Sequence, residues 1–222
     1  MTNDRPIIIF GAGSFASLAA HALTHDAQRR VLGFTVDTAH LHSSTHDGLP
    51  VYPFEALTEH IAPTDCEILV ALGYLQINGL RLARYAAAEA MGYRMARYIS
   101  RYARVASGTP IGLNGQIYEN AILQPHVRVG ANVILRAGAN IGHHSTVGDH
   151  SFIASGVVTG GNVSIGQRCF IGLGAIIRDG IRLGDRSFIG AGAVVTSDIE
   201  ADAVYVGNPA RRLSKTSLEV TQ

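Results

Sequence analysis

The chain carries ten histidines, and three of them are spaced so that they could act together. His143 and His144 are adjacent, and His126 precedes His144 by 18 residues. A glycine, Gly161, follows His143 by the same 18 residues. Histidine titrates near neutral pH and can take a proton from an attacking amine or hydroxyl, and a backbone N–H can stabilise a developing oxyanion. If residues 18 apart are neighbours in space, His143 and Gly161 could supply these two groups.

A second set of candidate residues lies near the N-terminus, where a phosphate could bind. Residues 7–10 read as a buried parallel strand, and residues 11–16 form a G-x-G-x-x-A turn that opens a helix through about His25. Gly11, Gly13 and Ser14 would present backbone N–H groups at a helix N-terminus, which favours an anion. Asp37 ends a second strand and could accept hydrogen bonds from a ribose or a base.

The rest of the first half fits a small α/β domain. A strand over 67–72 leads into Gly73, and a helix carrying Asn78, Arg81 and Arg84 follows. Arg81 could meet a phosphate or lie on a solvated helix face. The domain is short for a full dinucleotide fold, so a single nucleotide is favoured over a nicotinamide cofactor. A last strand over 93–99 leads into the second half, with one domain predicted over 1–102 and the other over 103–222.

The second half has a repeat of six residues. From Val105 to Val195 every sixth residue is aliphatic, except Thr159. The residue two positions earlier is small or branched, and positions two apart share one face of a strand, so both are expected to point inward. Glycine or alanine follows 11 of the 16 repeated positions. We expect glycine to open a corner there because it tolerates positive φ.

The hexads predict a parallel β-helix. Three short strands and three corners make one coil of 18 residues, and sixteen hexads make just over five coils. Residues 18 apart then lie on adjacent coils, about 4.8 Å apart. His143 and His144 fall on an outward corner, with His126 one coil below and Gly161 one coil above.

The repeat resembles the left-handed β-helix of hexapeptide-repeat acyltransferases, and residues 206–210 are similar to the G-N-P-A segment that follows their last coil. The order of the two halves, over residues 6–213, resembles the sialic-acid O-acetyltransferase family of bacterial sugar acyltransferases. That resemblance implies a left-handed coil and transfer of an acetyl group from acetyl-CoA to an amine or hydroxyl of a nucleotide-linked sugar. It also implies a homotrimer that acts in surface-glycan biosynthesis.

The same resemblance assigns roles to residues. It matches His143 to the catalytic base and Gly161 to the oxyanion donor, with His144 beside them. It implies that the first domain holds the nucleotide of the sugar and that acetyl-CoA is a co-substrate, with no permanently bound cofactor or metal. The residues matched to the acyl-donor site are Gly160, Gly161, Gly207, Asn208 and Pro209.

The chain departs from this pattern at two positions. Many family members place an acidic residue directly beside the catalytic histidine, whereas Gly142 and His144 flank His143 here. Some members have a second histidine nine positions on, where this chain has Phe152. The group that orients His143 is therefore open, and the candidates are Glu119, Asp149 and His144.

Composition limits the partners. With a net charge of +1, the chain as a whole has no strong positive potential that would attract nucleic acid or an anionic membrane. The longest early apolar run, residues 7–10, is too short for a signal peptide or a membrane span, so a cytoplasmic location is expected. Cys66 and Cys169 lie in different predicted domains and are expected to be buried thiols without a disulfide.

Two other functions are compatible with parts of the sequence. A β-helix with several histidines could be a zinc enzyme of the carbonic anhydrase type, but that pattern has two ligands five residues apart, and no histidine pair in the repeat has this spacing. A non-catalytic trimer that binds nucleotide sugars or serves as a scaffold is the other alternative. The cluster of His40, His42 and His46 is interpreted as a solvated loop rather than a metal site.

Overall fold

The computed structural model describes residues 5–222, and the chain divides into two compact units. The first contains the chain up to Gly73 together with Arg81–Tyr98, and the second contains Tyr74–Leu80 together with Ile99–Gln222. The division falls between residues 98 and 99 rather than at the predicted 102. Seven residues of the first half, Tyr74–Leu80, belong to the second unit, which no pattern in the sequence indicated.

The first unit is an α/β domain. Its elements are β1 (Ile7–Phe10), α1 (Ser14–His21), β2 (Val31–Val36), β3 (Thr45–His46), β4 (Leu49–Pro53), α2 (Leu57–His60), β5 (Glu67–Val70), α3 (Gly79–Ala90, which starts in the second unit) and β6 (Arg94–Met95). The strand order is β3-β4-β2-β1-β5-β6, parallel except for the β3–β4 pair. Strand β1 is buried on both faces, which explains its unbroken apolar run.

Several predicted elements differ at their ends. Helix α1 continues as a π-helical turn over Ala22–Asp26, and β5 ends at Val70, two residues short of the prediction. Asn78 was predicted to be helical but precedes α3, because it adopts a left-handed conformation with φ of 63°. The predicted strand over 93–99 is two short strands, β6 and β7 (Tyr98–Ile99).

The second unit is a parallel β-helix with three faces, which we call A, B and C. Face A contains β8 (Arg104–Val105), β10 (Ile122–Leu123), β13 (Asn140–Ile141), β16 (Val158–Thr159), β19 (Ile176–Ile177) and β22 (Val194–Val195). Face B contains β11 (Arg128–Val129), β14 (Thr146–Val147), β17 (Ser164–Ile165) and β20 (Arg182–Leu183). Face C contains β7, β9 (Gln116–Ile117), β12 (Ile134–Leu135), β15 (Phe152–Ile153), β18 (Phe170–Ile171), β21 (Phe188–Ile189), β23 (Ala203–Val206) and the antiparallel β24 (Arg211–Thr216).

The predicted inward positions form the core of this helix. The repeated aliphatic residues and the small residues two positions before them are buried in one continuous cluster, for example Ala139 with Ile141 and Val163 with Ile165. Strands 18 residues apart pair through most of the helix, as Leu123 does with Ile141, and the spacing shortens to 16 at the last coil, where Ile189 pairs with Tyr205. The prediction of coils of 18 residues is confirmed.

The predicted reason for the glycines after the aliphatic residues is wrong. We number the residues of each hexad from the repeated aliphatic residue, so the glycine is the second residue. Positive φ occurs instead at the fourth residue, in 15 of the 16 hexads. The second residue is glycine because the next coil passes too close for a side chain. A β-carbon at Gly142 would lie 2.7 Å from the nitrogen of Gly161, and one at Gly148 would lie 2.6 Å from the carbonyl carbon of Gly166.

The segment Tyr74–Leu80 packs on face C. The ring of Tyr74 lies 4.0 Å from that of Phe170, centroid to centroid, and Asn78 donates from Nδ2 to the carbonyl of Arg168 at 3.1 Å. The backbone N–H of Gln76 donates to the carbonyl of Thr221 at 2.7 Å. These contacts explain why the segment is part of the second unit and why Phe170 is buried on an outward position.

Candidate active site

Three corners join the faces of the β-helix, and the histidines lie on the corner between faces A and B, which we call corner AB. This corner contains residues 142–145 and the equivalent residues of the other coils. His143 and His144 are both exposed there. Their Nδ1 atoms are 3.1 Å apart, a hydrogen bond in which one ring must donate and the other accept. His144 has φ of 58°, a left-handed conformation in which histidine is enriched.

His126 lies one coil below on the same corner. Its ring centroid is 4.4 Å from that of His144, with the planes tilted by 35°. His126 therefore stacks on His144, and the three imidazoles form one continuous group. A cavity of about 400 Å³ adjoins this group from the N-terminal side and is lined by Ser107, Gly108, Thr109, Pro110, His126, Val127 and Arg128.

His143 lies directly against Gly161 of the next coil. A β-carbon placed on Gly161 would be 2.6 Å from Nε2 and 2.8 Å from Nδ1 of His143, so the ring occupies the space a side chain would fill. Gly161 is the third residue of its hexad, and it is the one glycine among the third residues of the sixteen hexads. In the other fifteen hexads the third residue carries a side chain, so the backbone at this position tolerates one. Glycine is required at 161 because the His143 imidazole fills the space of a side chain.

The backbone N–H of Gly161 makes no hydrogen bond within residues 5–222. At the corner between faces B and C, which we call corner BC, an aspartate of the next coil caps the equivalent group in two of the coils. Ala131 N–H donates to Asp149 Oδ1 at 2.8 Å, and Gln167 N–H donates to Asp185 Oδ1 at 2.9 Å. Asp179 stands in the matching position above Gly161, yet its carboxylate forms no such bond in the described chain. Gly161 therefore presents an available donor beside the His143 ring.

The structure also distinguishes the candidates for orienting His143. Glu119 lies on the corner between faces C and A, and Asp149 lies on corner BC, where it caps Ala131. His144 is the candidate that contacts the His143 ring.

Two residues that hold the His143 backbone were not identified as site residues from the sequence. Thr159 Oγ1 accepts a hydrogen bond from the N–H of Gly142 at 2.9 Å, and Gln124 Oε1 accepts one from the N–H of His143 at 3.1 Å. The signal for Thr159 was present, since it interrupts the aliphatic repeat. Gln124 had no such signal.

The segment matched to the acyl-donor site lies along face A. The carbonyl of Gly207 accepts a hydrogen bond from Val194 N–H at 3.0 Å, and Ala210 N–H donates to Val194 at 2.8 Å. Asn208 and Pro209, joined by a cis peptide bond, lie between these two contacts and are exposed. Val194 is three strands from β13 on face A and Gly207 stacks on Val194 as the next layer, so Gly207 lies about 19 Å along the helix axis from the coil of His143. Gly160, the remaining donor candidate, follows β16 on the same face.

The candidate phosphate site of the first unit lies at the carboxyl end of β1. Gly11 has φ of 123°, and a β-carbon on it would be 3.0 Å from the carbonyl oxygen of Ala71, so glycine is required. Helix α1 begins at Ser14 with Gly13 as its N-cap; no side chain caps it and no acidic residue lies in its first turn. Gly13 and Ser14 are exposed. This helix end can accept an anion.

Asp37 follows β2, next to β1 in the sheet, so it lies at the same edge. Its carboxylate pairs with Arg84 of α3 at 2.9 Å. Gly73, exposed, follows β5 on the other side of β1. Near this edge Thr38 donates from its hydroxyl to Glu55 at 2.6 Å, and this hydrogen bond lowers the pKa of Glu55.

Arg81 does not behave as either sequence interpretation predicted. Its side chain is fully buried, so it is neither a solvated residue nor a group open to a bound phosphate. Burial lowers the pKa of its guanidinium to about 9. The sequence could not distinguish Arg81 from Arg84, because the two stand three positions apart on one helix and only packing decides which is enclosed.

The polar histidine loop also differs from its interpretation. His46 is half-buried, with Nε2 2.8 Å from Ser17 Oγ and its ring centroid 4.7 Å from that of Phe34. Over residues 5–222, no three His, Cys, Asp or Glu side chains are grouped as a metal site would require.

No helix in the described part of the chain is long and apolar enough to cross a membrane. Cys66 and Cys169 are both buried free thiols, and burial raises the pKa of Cys66 to about 11.

Two family models match the β-helix. Residues 126–161 match the bacterial transferase hexapeptide (six repeats), and residues 162–197 match the hexapeptide repeat of succinyl-transferase. No curated protein sequence matches the chain significantly.

Solved structures match nearly the whole chain. The acetyltransferase domain of PglB from Neisseria gonorrhoeae FA1090, in complex with acetyl coenzyme A, is 26% identical, with 95% of this chain and 100% of that chain covered and a TM-score of 0.85. WeeI from Acinetobacter baumannii AYE is 22% identical, with 94% and 99% covered and a TM-score of 0.85. PerB from Caulobacter crescentus, in complex with CoA and GDP-perosamine, is 22% identical, with 94% and 97% covered and a TM-score of 0.84.

These matches define the class of protein. The chain has the fold of a hexapeptide-repeat transferase, and the predicted α/β domain followed by a left-handed parallel β-helix is confirmed. It is similar in structure to bacterial sugar N-acetyltransferases such as PerB, whose structure contains CoA and GDP-perosamine.

Proposed function

We propose that this protein transfers an acetyl group from acetyl-CoA to an amine of a nucleotide-linked sugar, as a member of the sialic-acid O-acetyltransferase family of bacterial sugar acyltransferases. The observation that carries the proposal is the contact between the His143 imidazole and Gly161, whose N–H has no hydrogen-bond partner in the described chain. A base and an oxyanion donor on adjacent coils are the two groups that acyl transfer from a thioester needs. The structures of PglB with acetyl coenzyme A and of PerB with CoA and GDP-perosamine support the substrate class.

In the proposed reaction the acceptor nitrogen attacks the thioester carbonyl carbon. Nε2 of His143 takes a proton from that nitrogen, and the Gly161 N–H donates to the oxygen of the tetrahedral intermediate. The C–S bond then breaks, and the leaving thiolate takes the proton from the His143 imidazolium, so the products are the acetamido sugar and free coenzyme A. Each proton and electron pair is accounted for without a further reactant.

We assign His144 as the residue that positions His143. Nδ1–H of His143 donates to Nδ1 of His144 across the 3.1 Å contact, which leaves Nε2 of His143 with a lone pair on the side of Gly161. When Nε2 gains a proton, the His144 nitrogen remains an acceptor for the positive ring. His144 thus stands where many family members have an acidic residue.

We place coenzyme A along face A, between Gly207–Pro209 and Gly161. The exposed side chains between them are Val158 and Ile176, which are 42% and 48% exposed and would suit the apolar part of a pantetheine arm. Gly160 and Gly161 lie at the thioester end. Because coenzyme A thioesters are intracellular metabolites, a cytoplasmic location follows from this proposal.

We place the nucleotide in the first unit, with its diphosphate at Gly11–Ser14 and its ribose or base near Asp37 and Gly73. Replacing Asp37 with alanine should raise KM for the nucleotide sugar about tenfold, while KM for acetyl-CoA stays within twofold, because one charge-assisted hydrogen bond is lost at that subsite alone. Steady-state kinetics with each substrate varied in turn measures both constants. Equal changes in the two constants would contradict the assignment.

We also propose that the active form is a homotrimer in which face A of one chain meets a neighbour. The exposed apolar residues Val158 and Ile176 support this face as the interface. Ile176→Asp should convert the trimer to a monomer in light scattering at micromolar concentration, whereas Ser164→Asp on face B should leave it intact. A monomeric wild-type protein with full activity would refute the trimer.

The direct test of the activity uses acetyl-CoA with UDP-, GDP- and dTDP-linked amino sugars, following free thiol. A thermal-shift screen of the same nucleotides identifies the base first, since bound ligand raises Tm with saturation. Thiol release that depends on an amino sugar, with loss of the amine in mass spectra, is the expected result. Absence of transfer to each of these acceptors, or transfer only to their hydroxyl analogues, would overturn the proposal or move it to O-acetylation.

A further inference from the structure

Thr159 is the polar exception among the sixteen repeated positions of the β-helix. Its side chain points into the coil and is 4% exposed, so its hydroxyl lies where every other hexad has an aliphatic group. Burying a hydroxyl in an apolar column costs free energy unless it is hydrogen-bonded. The hydroxyl of Thr159 accepts from the N–H of Gly142 at 2.9 Å, directly before His143.

This hydrogen bond replaces a regular contact of the coil. In the equivalent positions the second residue of the hexad donates to a backbone carbonyl of the next coil, as Gly130 does to Val147 at 2.9 Å and Gly160 to Ile177 at 2.9 Å. At Gly142 the acceptor is the Thr159 side chain instead. The ladder is interrupted at the same place, because β13 and β16 pair at Asn140–Val158 alone, whereas β10 and β13 pair at two positions.

The following N–H is also held by a side chain. The N–H of His143 donates to Gln124 Oε1 of the coil below at 3.1 Å. At corner BC the equivalent N–H groups of Ala131 and Gln167 donate to aspartates of the coil above, not below. The two peptide N–H groups at Gly142 and His143 are therefore set by a threonine above and a glutamine below, independently of the regular ladder.

We propose that Thr159 is a positioning residue for His143, an inference that rests on the proposed function. A side-chain hydroxyl reaches the Gly142 N–H from a different point than the backbone carbonyl does, so it sets a different path for residues 142–143. Gln124 holds the next N–H, that of His143, and the two hydrogen bonds together place the His143 imidazole over Gly161. The hydroxyl acts through the backbone of the catalytic residue and does not touch substrate.

The test compares three variants by kinetics and thermal unfolding. Thr159→Val has nearly the same shape and restores the aliphatic repeat, so Tm should stay within about 3 °C while kcat falls about 10- to 100-fold, since a displaced catalytic group can cost about 100-fold. Thr159→Ser keeps the hydroxyl and should retain kcat within threefold. Ile177→Val, a change of similar size one coil above on the same face, should leave kcat within twofold.

A readout apart from activity separates this proposal from the proposed function. In long-range proton–nitrogen spectra of the imidazoles, wild-type His143 should show one fixed tautomer, Thr159→Val should shift it toward the mixture of a free histidine, and Thr159→Ser should restore it. An unchanged spectrum and kcat in Thr159→Val would overturn the proposal, as would failure of Thr159→Ser to rescue both. If the wild-type protein transfers no acetyl group, the proposed function fails, and the spectra still decide the role of Thr159.

Discussion

Corner AB and corner BC of the β-helix are built from the same hexad, yet the third N–H of the hexad is treated differently at Gly161 and at Ala131. At corner BC the N–H groups of Ala131 and Gln167 are each capped by an aspartate of the next coil. At corner AB the matching N–H of Gly161 has no acceptor in the described chain, although Asp179 stands in the capping position. An imidazole lies against Gly161 instead.

The difference shows how a repetitive scaffold can carry a single reactive position. A capped N–H stabilises the coil and is closed to a ligand, whereas an N–H without a partner costs stability and can donate to one. The residues that distinguish corner AB are His143, His144, Gly161, Thr159 and Gln124. The identities of these five residues, not the path of the coil as a whole, separate the proposed active corner from the structural one.

The largest expected effect comes from removing the imidazole of corner AB. His143→Ala should lower kcat about 10²- to 10⁴-fold, the usual contribution of a general base. Because the side chain is exposed, stability should change by less than about 1 kcal/mol. Steady-state kinetics and denaturant unfolding measure the two quantities.

The control for this variant is His126→Ala, which removes a stacked ring one coil below and should slow the reaction less. If His144→Ala lowers kcat more than His143→Ala does, the base is His144 and not His143. A loss below tenfold in all three variants would leave corner AB without a base, and the comparison with corner BC would lose its functional meaning.

A smaller effect is expected when a side chain is given to Gly161. Gly161→Ala places a β-carbon in the space of the His143 ring, so the ring must move, and kcat should fall about 10- to 100-fold. Ser155→Ala, at the third residue of another hexad, should have no effect. In the His143→Ala background, adding Gly161→Ala should cause little further loss, because the ring it displaces is absent. Additive losses in the double variant would show that the two residues act independently.

The smallest effect, on stability alone, is expected at corner BC. Asp149→Ala removes the acceptor of the Ala131 N–H and should lower the free energy of unfolding by about 0.5 to 1.5 kcal/mol, with kcat unchanged. Asp179→Ala removes a carboxylate that makes no hydrogen bond in the described chain, so unfolding should not change measurably. Denaturant titration of the matched pair measures the difference. Equal losses would mean that Asp179 also caps its corner in solution.

The architecture of the β-helix was predictable because its information is local and repeated. Each hexad indicates its inward positions independently, so fifteen aliphatic residues among the sixteen repeated positions from Val105 to Val195 outweigh any single ambiguity. The alignment of His143 with Gly161 followed from the same period. In the first half each element is indicated by a single sequence pattern that is not repeated. The wrong predictions there concern the ends of elements, where the conformation of one residue sets the boundary: Asn78 precedes its helix, and β5 is two residues shorter than predicted.

Amino-acid order and period thus determine the coil, the corner and the pairing of residues 18 apart. The orientation of each polar group was decided only in three dimensions. Whether His144, Asp149 or Glu119 meets His143 depends on which corner each occupies and which backbone N–H already uses its oxygen. Arg81 and Arg84 have the same chemistry, and packing alone encloses one and pairs the other with Asp37. Hydrogen bonds select among partners by distances of a few tenths of an ångström, which a pattern of residue types does not encode.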